Sequence, residues 1–267
     1  MKNKYSKNNI TNLILNMEDN NGYKLTTKID VTFKRKNKVY NKNIYIMMNN
    51  NMKDNLTPNE NTQFFADTTY NCVPPQNKGM KLFIIISYNS KHNKFLLCLL
   101  SLIYNENKET FEAIFNFLKY NFGFNPDLFT VDFGKAGYIT IKNVFPNTRI
   151  YPCYFHLIRR LIIHIKYLRS KNRVLKRAAK NLLFNMKILL FTDSEETEDF
   201  YGKIENKYYS SFKKFFNYFD KVYMKSKPFN DKEWNYCILL CCLIILYNNS
   251  LKFFKYYNTI LIKNINL

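Results

Sequence analysis

From Phe133 to Thr192 the sequence contains no aspartate and no glutamate. Other features are missing too. No apolar run approaches the ~20 residues needed to cross a bilayer. The longest, YCILLCCLIILY at 236–247, reads as a buried helix. The opening MKNKYSKNNITNLILNMEDNN has cations but no continuous apolar core, so it does not read as a secretory signal. Six cysteines in 267 residues form no dense disulfide framework and fit reduced thiols inside a cell. The neighbours Cys241 and Cys242 lie in apolar sequence and read as core. No internal repeat is seen, and no zinc-finger spacing marks the N-terminal region.

What is present is apolar and basic. Hydrophobic residues make up 46% and aromatics 17%, enough to bury a sizeable core and to argue against disorder throughout. Against 41 Lys and Arg stand 20 Asp and Glu, a net charge of +21. That balance points to an anionic partner, with nucleic acid first. Lys, Asn, Ile, Tyr and Phe share AT-rich codons, however, so the distribution of charge carries more weight than its total.

Residues 1–58 are polar and rich in Asn and Lys, with KLTTKIDVTF and NKNIYIMM as short strand candidates. After Pro58 the pattern sharpens. TQFFADTTY (62–70), KLFIIISYN and FLLCLLSLIY read as three strands with short connections, which predicts an antiparallel meander. VPPQNKG is a turn or loop. In ETFEAIFNFLKYNFG the apolar positions Phe111, Ile114, Phe115, Leu118 and Phe122 take helical spacing, with Gly123 as C-terminal cap. LFTVD reads as a short buried strand, KAGYITIKNVF as a helix stopped by Pro146, RIYPCYF as a strand and HLIRRLIIHIKYLR as a helix. From Lys171 onward the chain reads as mostly helical. The sum is a mixed α/β sheet flanked by helices.

Asp67 sits near the end of the first strand of the meander, and Asp132 ends the fourth strand. If the helix at 109–122 is a crossover, the fourth strand lies beside the first and parallel to it. The two carboxylates then emerge at one sheet edge. Like charges held together repel unless a cation sits between them, and Mg²⁺ or Mn²⁺ is the hard ion that suits oxygen ligands. Taken singly, Asp132 also reads as a cap for the next helix.

FFADTTYNCVP, with its Asp-x-Thr and Val-Pro, and LFTVDFGKAGYITIKNVFPNTRIYPCYFHLIRRL, with its second Asp, Phe-Pro stop and Cys-x-x-His, resemble the Mutator-like (MULE) transposase domain, of the DDE transposases with an RNase H-like fold. ILLFTDSEETEDFYGKI and FFNYFDKVYMKSKPFNDKEWNYC resemble the helical insertion of that family. The likeness runs from Thr62 to about Asn258. It implies an RNase H-like five-stranded mixed sheet spanning 59–267, with a helical insertion at about 171–232 and C-terminal helices, preceded by a partly ordered segment, 1–58. It also implies that Asp67 and Asp132 are the first two catalytic acids and hold Mg²⁺ or Mn²⁺. The family activity is metal-dependent DNA cleavage at a transposon end, followed by strand transfer.

The family's third acid lies in Asn-Asn-x-x-Glu-x-x-His. Here that stretch reads NNSLKFFK, with Lys252 in place of the Glu and Lys255 in place of the His. A cation offers no ligand oxygen, so the resemblance implies an incomplete acidic triad and impaired catalysis. Glu195, Glu196, Glu198 and Asp199 are the first-turn acids of a helix capped by Asp193 or Ser194, and Glu205 and Glu233 are isolated. None is expected to replace the third acid.

Cys153 and His156 have the spacing of half a zinc site. Cys237, Cys241, Cys242 and His164 lack the spacing to complete it. The pair is a family signature without an assigned role. The acid-free stretch carries Arg159, Arg160, Lys166, Arg169, Arg173, Lys176 and Arg177 among apolar residues at helical spacing. One face can pack while the other meets a phosphate backbone. A solvated face and a basic helix on an anionic membrane are weaker readings. The expectation is an intracellular, nuclear, transposase-derived protein that binds double-stranded DNA, with no membrane partner and an open question of homo-oligomer formation. The alternatives are a non-catalytic, domesticated DNA-binding protein or a decaying element fragment.

Overall fold

The computed structural model describes residues 24–35, 38–57, 62–69, 79–89, 94–132, 134–166, 168, 170–192 and 195–224. The chain divides into two compact units, with the change between Arg149 and Ile150.

The first unit opens with a long hairpin, β1 (Lys24–Arg35) and β2 (Lys38–Met48), and a short helix, α1 (Asn50–Asp54). Asn49 caps α1 by accepting from the Met52 amide at 2.9 Å. The meander follows as β3 (Gln63–Thr69), β4 (Lys81–Asn89) and β5 (Lys94–Ile103), paired antiparallel in turn. Next come α2 (Lys108–Phe122), β6 (Leu128–Val131), α3 (Lys135–Val144) and β7 (Arg149–Pro152), where the chain passes to the second unit. The strand order is β1-β2-β5-β4-β3-β6-β7; β1-β2, β2-β5, β5-β4 and β4-β3 pair antiparallel, and β3 meets β6 in parallel. A mixed α/β sheet is therefore present. It has seven strands rather than five, because β2 pairs with β5 at Tyr45, Ile46 and Met47 and so adds the hairpin to the meander edge.

α2 forms for the reasons visible in its sequence. Asn107 accepts from the Thr110 amide at 3.1 Å, and Gly123 closes the helix at φ +63°, a left-handed conformation that glycine takes without a Cβ penalty. Its buried stripe is Phe111, Ile114, Phe115 and Leu118. Phe115 is the hub: its ring meets Phe83 at 6.2 Å, Phe129 at 5.8 Å and Phe145 at 5.9 Å. Those rings come from β4, β6 and the end of α3, so one side chain ties the crossover helix to two strands. Cys98 is fully buried on β5, and burial pushes its thiol up to about 12, which makes it a core residue rather than a reactive one.

The second unit is helical. α4 (Tyr154–His164), α5 (Arg173–Leu189) and α6 (Thr197–Phe219) are followed by a π-helical turn, Asp220–Met224. Asn172 caps α5 by accepting from the amides of Val174 and Leu175. α5 buries Ala179, Leu182, Met186 and Leu189, a single stripe, and packs against α6. The N-cap of α6 is Glu196, with Glu198 and Asp199 in the first turn. The expected caps, Asp193 and Ser194, lie outside the described residues, and the helix starts later than they imply. The VPPQNKG loop, apart from Gly79, and the apolar run 236–247 also lie outside them. No helix among the described residues is long and apolar enough to cross a membrane.

Phe115→Ala removes a fully buried ring that four elements share. It is expected to destabilise the protein by about 3–5 kcal/mol, read as a lower urea midpoint; a loss below ~1 kcal/mol would show that the ring is not the hub described.

Candidate acidic site and basic helices

The parallel pairing of β3 with β6 sets the site. Gln63 pairs with Leu128, Phe64 with Phe129 and Phe65 with Thr130, a constant offset of 65 residues. Asp67 and Asp132 keep the same offset, two positions further along. The register is pinned from both faces. On one face the Phe64 and Phe129 rings stack at 6.4 Å. On the other the buried Gln63 Nε2 donates to Thr130 Oγ1 at 2.6 Å. Because paired residues on neighbouring strands share a face, this register carries the two aspartates, distant in sequence, to matching positions.

Both line one cavity of about 130 Å³ in the first unit, with Thr68, Glu106, Gly134 and Gly137 among the other walls and Phe83, Phe111 and Phe115 at its apolar side. Asp67 Oδ1 accepts from the Thr68 amide at 2.9 Å. Asp132 Oδ1 accepts from the Gly134 amide at 3.0 Å. Asp132 thus braces the turn into α3, while Gly134 is the N-cap residue of that helix. A Cβ at position 134 would sit 2.8 Å from Asp132 Oδ1, so glycine lets the backbone approach the carboxylate.

Glu106 is the acid that sequence reasoning missed. It sits in the short connection between β5 and α2, next to the capping Asn107. Its Oε1 accepts from Lys81 Nζ at 2.7 Å, and both side chains are three-quarters buried. The available signal was its place just before the crossover helix, where a loop residue can reach the end of a neighbouring strand. Among the described residues no three His, Cys, Asp or Glu side chains converge as metal ligands. Lys252, Lys255, Glu233 and Cys237, Cys241 and Cys242 lie outside those residues.

The other candidates belong to the second unit. Cys153 is the N-cap residue of α4, and its carbonyl accepts from the Leu157 amide at 3.0 Å. His156 lies in the first turn, with its ring edge-on to Phe155 at 5.7 Å. His164 stacks on Tyr218 at 3.5 Å between ring centroids, and partial burial, with the Arg160 charge adding, lowers its pKa. Arg159 and Arg160 on α4, the following Lys166, and Arg173, Lys176 and Arg177 on α5 are all exposed. Arg169 lies outside the described residues. Glu195, Glu196, Glu198 and Asp199 are exposed around the start of α6, and Asp199 pairs with Lys203 at 2.6 Å. Glu205 is half-buried further along that helix.

Residues 64–160 match the model of the MULE transposase domain. The matched stretch runs from β3 into α4 and takes in both cavity aspartates, Cys153, His156, Arg159 and Arg160. It covers less than half of the chain. Over it, the chain is similar to a MULE-type transposase domain, and that likeness falls on the parallel strand pair that places Asp67 and Asp132. No curated protein matches the chain.

Thr130→Val keeps the volume near that of threonine but removes the acceptor for Gln63 Nε2. The buried amide is then left without this partner, and the expected cost is about 1–3 kcal/mol in chemical denaturation; a neutral result would mean that this contact does not hold the β3–β6 register.

Proposed function

We propose that this is a transposase-derived DNA-binding protein with an RNase H-like core, in which Asp67 and Asp132 hold Mg²⁺ or Mn²⁺. The reading is supported by one observation above others: two aspartates at the same strand offset line one cavity, inside the stretch that matches the MULE transposase domain. The donor set fits the ion. Both groups offer hard carboxylate oxygen, and Mg²⁺ is commonly held by one or two carboxylates with waters completing its shell. When bound, such an ion supplies an activated nucleophile and steadies a leaving oxygen in phosphodiester chemistry.

The chain's own groups do the positioning. The Thr68 and Gly134 amides hold one oxygen of each carboxylate, and so limit rotation of the two side chains. The exposed cations of α4 and α5 supply contacts to a phosphate backbone, which bring affinity without sequence preference. DNA as partner and a nuclear location follow from this reading.

Catalysis is impaired in this reading, because Lys252 stands where the family's third acid is expected. A second reading, a non-catalytic DNA-binding protein on the same fold, is favoured by the further acid on the described cavity wall: Glu106 is paired with Lys81.

Two measurements test this. In a nicking assay on supercoiled DNA with Mg²⁺ or Mn²⁺, cleavage is expected to be absent or weak. Strong cleavage that disappears in Asp132→Ala would contradict the impairment while supporting the metal role. In a binding titration, Arg173→Ala/Arg177→Ala is expected to weaken duplex binding and to reduce the slope of log K against log salt by about two; unchanged affinity and slope would remove α5 from the DNA surface.

A further inference from the structure

We infer that the outer end of the β1–β2 hairpin is a second DNA-binding element, a basic two-stranded ribbon that enters the major groove of duplex DNA. β1 and β2 pair from Lys24↔Met48 to Arg35↔Lys38. β2 pairs with β5 only at Tyr45, Ile46 and Met47. Beyond Ile44, therefore, the ribbon has no third strand among the described residues. Val31 is buried and its partner Lys42 lies over the Tyr104 ring, so the free extension is the four pairs from Thr32↔Asn41 to Arg35↔Lys38, roughly 10 Å at ~3.4 Å per residue.

An isolated pair of strands is marginal in water, so this extension needs internal ties and a reason to exist. The ties are present. Phe33 stacks on Tyr40 with ring centroids 5.4 Å apart, and Thr32 Oγ1 donates to Asn41 Oδ1 at 2.8 Å. The reason is found in the charge. Lys34 and Lys38 are exposed and take part in no ion pair among the described residues. The hairpin's one carboxylate, Asp30, lies back from the tip, where Lys28 approaches it at 3.9 Å. Two exposed cations on neighbouring strands with no acid beside them complement a polyanion. Val39 beside them is 59% exposed, an apolar group of the kind that meets thymine methyls in the groove.

The shape selects the duplex. The major groove of B-DNA is about 12 Å wide and admits a two-stranded ribbon, whereas that of an RNA duplex is too deep and narrow for side chains to read. The ribbon lies outside the stretch that matches the MULE transposase domain, and its assignment rests on the DNA reading given above.

The test is fluorescence anisotropy of the full chain with a 30-base-pair DNA duplex across a salt series, comparing the wild type with Lys34→Ala/Lys38→Ala. Loss of two phosphate contacts lowers the salt slope by about two and weakens binding about tenfold. Both lysines are exposed, so the melting temperature stays that of the wild type; a second variant, with 32–41 replaced by a tight Asn-Gly turn, is expected to lose as much affinity or more. If the wild type binds DNA and both variants match it in affinity and slope, the ribbon assignment is overturned and the DNA reading stands. If the wild type binds no duplex, both are overturned. Tighter binding to double-stranded RNA or to phosphatidylserine vesicles than to DNA, lost in the lysine variant, overturns the choice of partner.

Discussion

The parallel pairing of β3 with β6 is the constraint on which the rest of the first unit depends. It cannot be made by a tight turn, since parallel neighbours require a crossover. The meander, α2 and its return path exist in that order because they deliver β6 alongside β3. Once the offset of 65 residues is set by Phe64 against Phe129 and Gln63 against Thr130, the placement of Asp67 and Asp132 follows without further choice. A slip of one residue would turn the strand's side chains to the opposite face and separate the acids.

The aromatic core is what makes that register stiff. Phe115 reaches β4, β6 and α3 at once, and Phe124 meets Phe64 edge-on at 4.9 Å just before β6. Edge-to-face contacts of this kind add to the burial of large rings. At the polar part of the cavity each aspartate accepts from a backbone amide, Asp67 from Thr68 and Asp132 from Gly134. Lys81 pairs with Glu106 on the same cavity's wall. The cavity thus has two aspartates at the same strand offset, and a third acid, Glu106, paired with Lys81 on its wall.

Much of this was legible in the sequence. The meander was readable because Phe, Ile and Leu alternate or run together between short polar gaps. α2 was readable because Phe111, Ile114, Phe115 and Leu118 recur at helical spacing before a glycine. The crossover made the parallel pair a natural inference. The hairpin was only half legible: its two segments read as short strands, yet they extend to Arg35 and Lys38, because Lys, Thr and Asn on the exposed positions dilute the strand signal. The addition of β1 and β2 to the sheet depends on three residue pairs with β5, a long-range contact that no local pattern announces. Glu106 was missed for a similar reason. Its neighbours Asn105 and Asn107 mark a loop, and nothing local tells that the loop ends at the cavity. The start of α6 at Thr197 was displaced because a run of acids offers several equivalent caps.

The most direct measurement is an anomalous-difference map from crystals soaked in Mn²⁺. The account predicts density in contact with carboxylate oxygens of both Asp67 and Asp132. Density at other residues, or none beside these two aspartates at millimolar Mn²⁺, would contradict it.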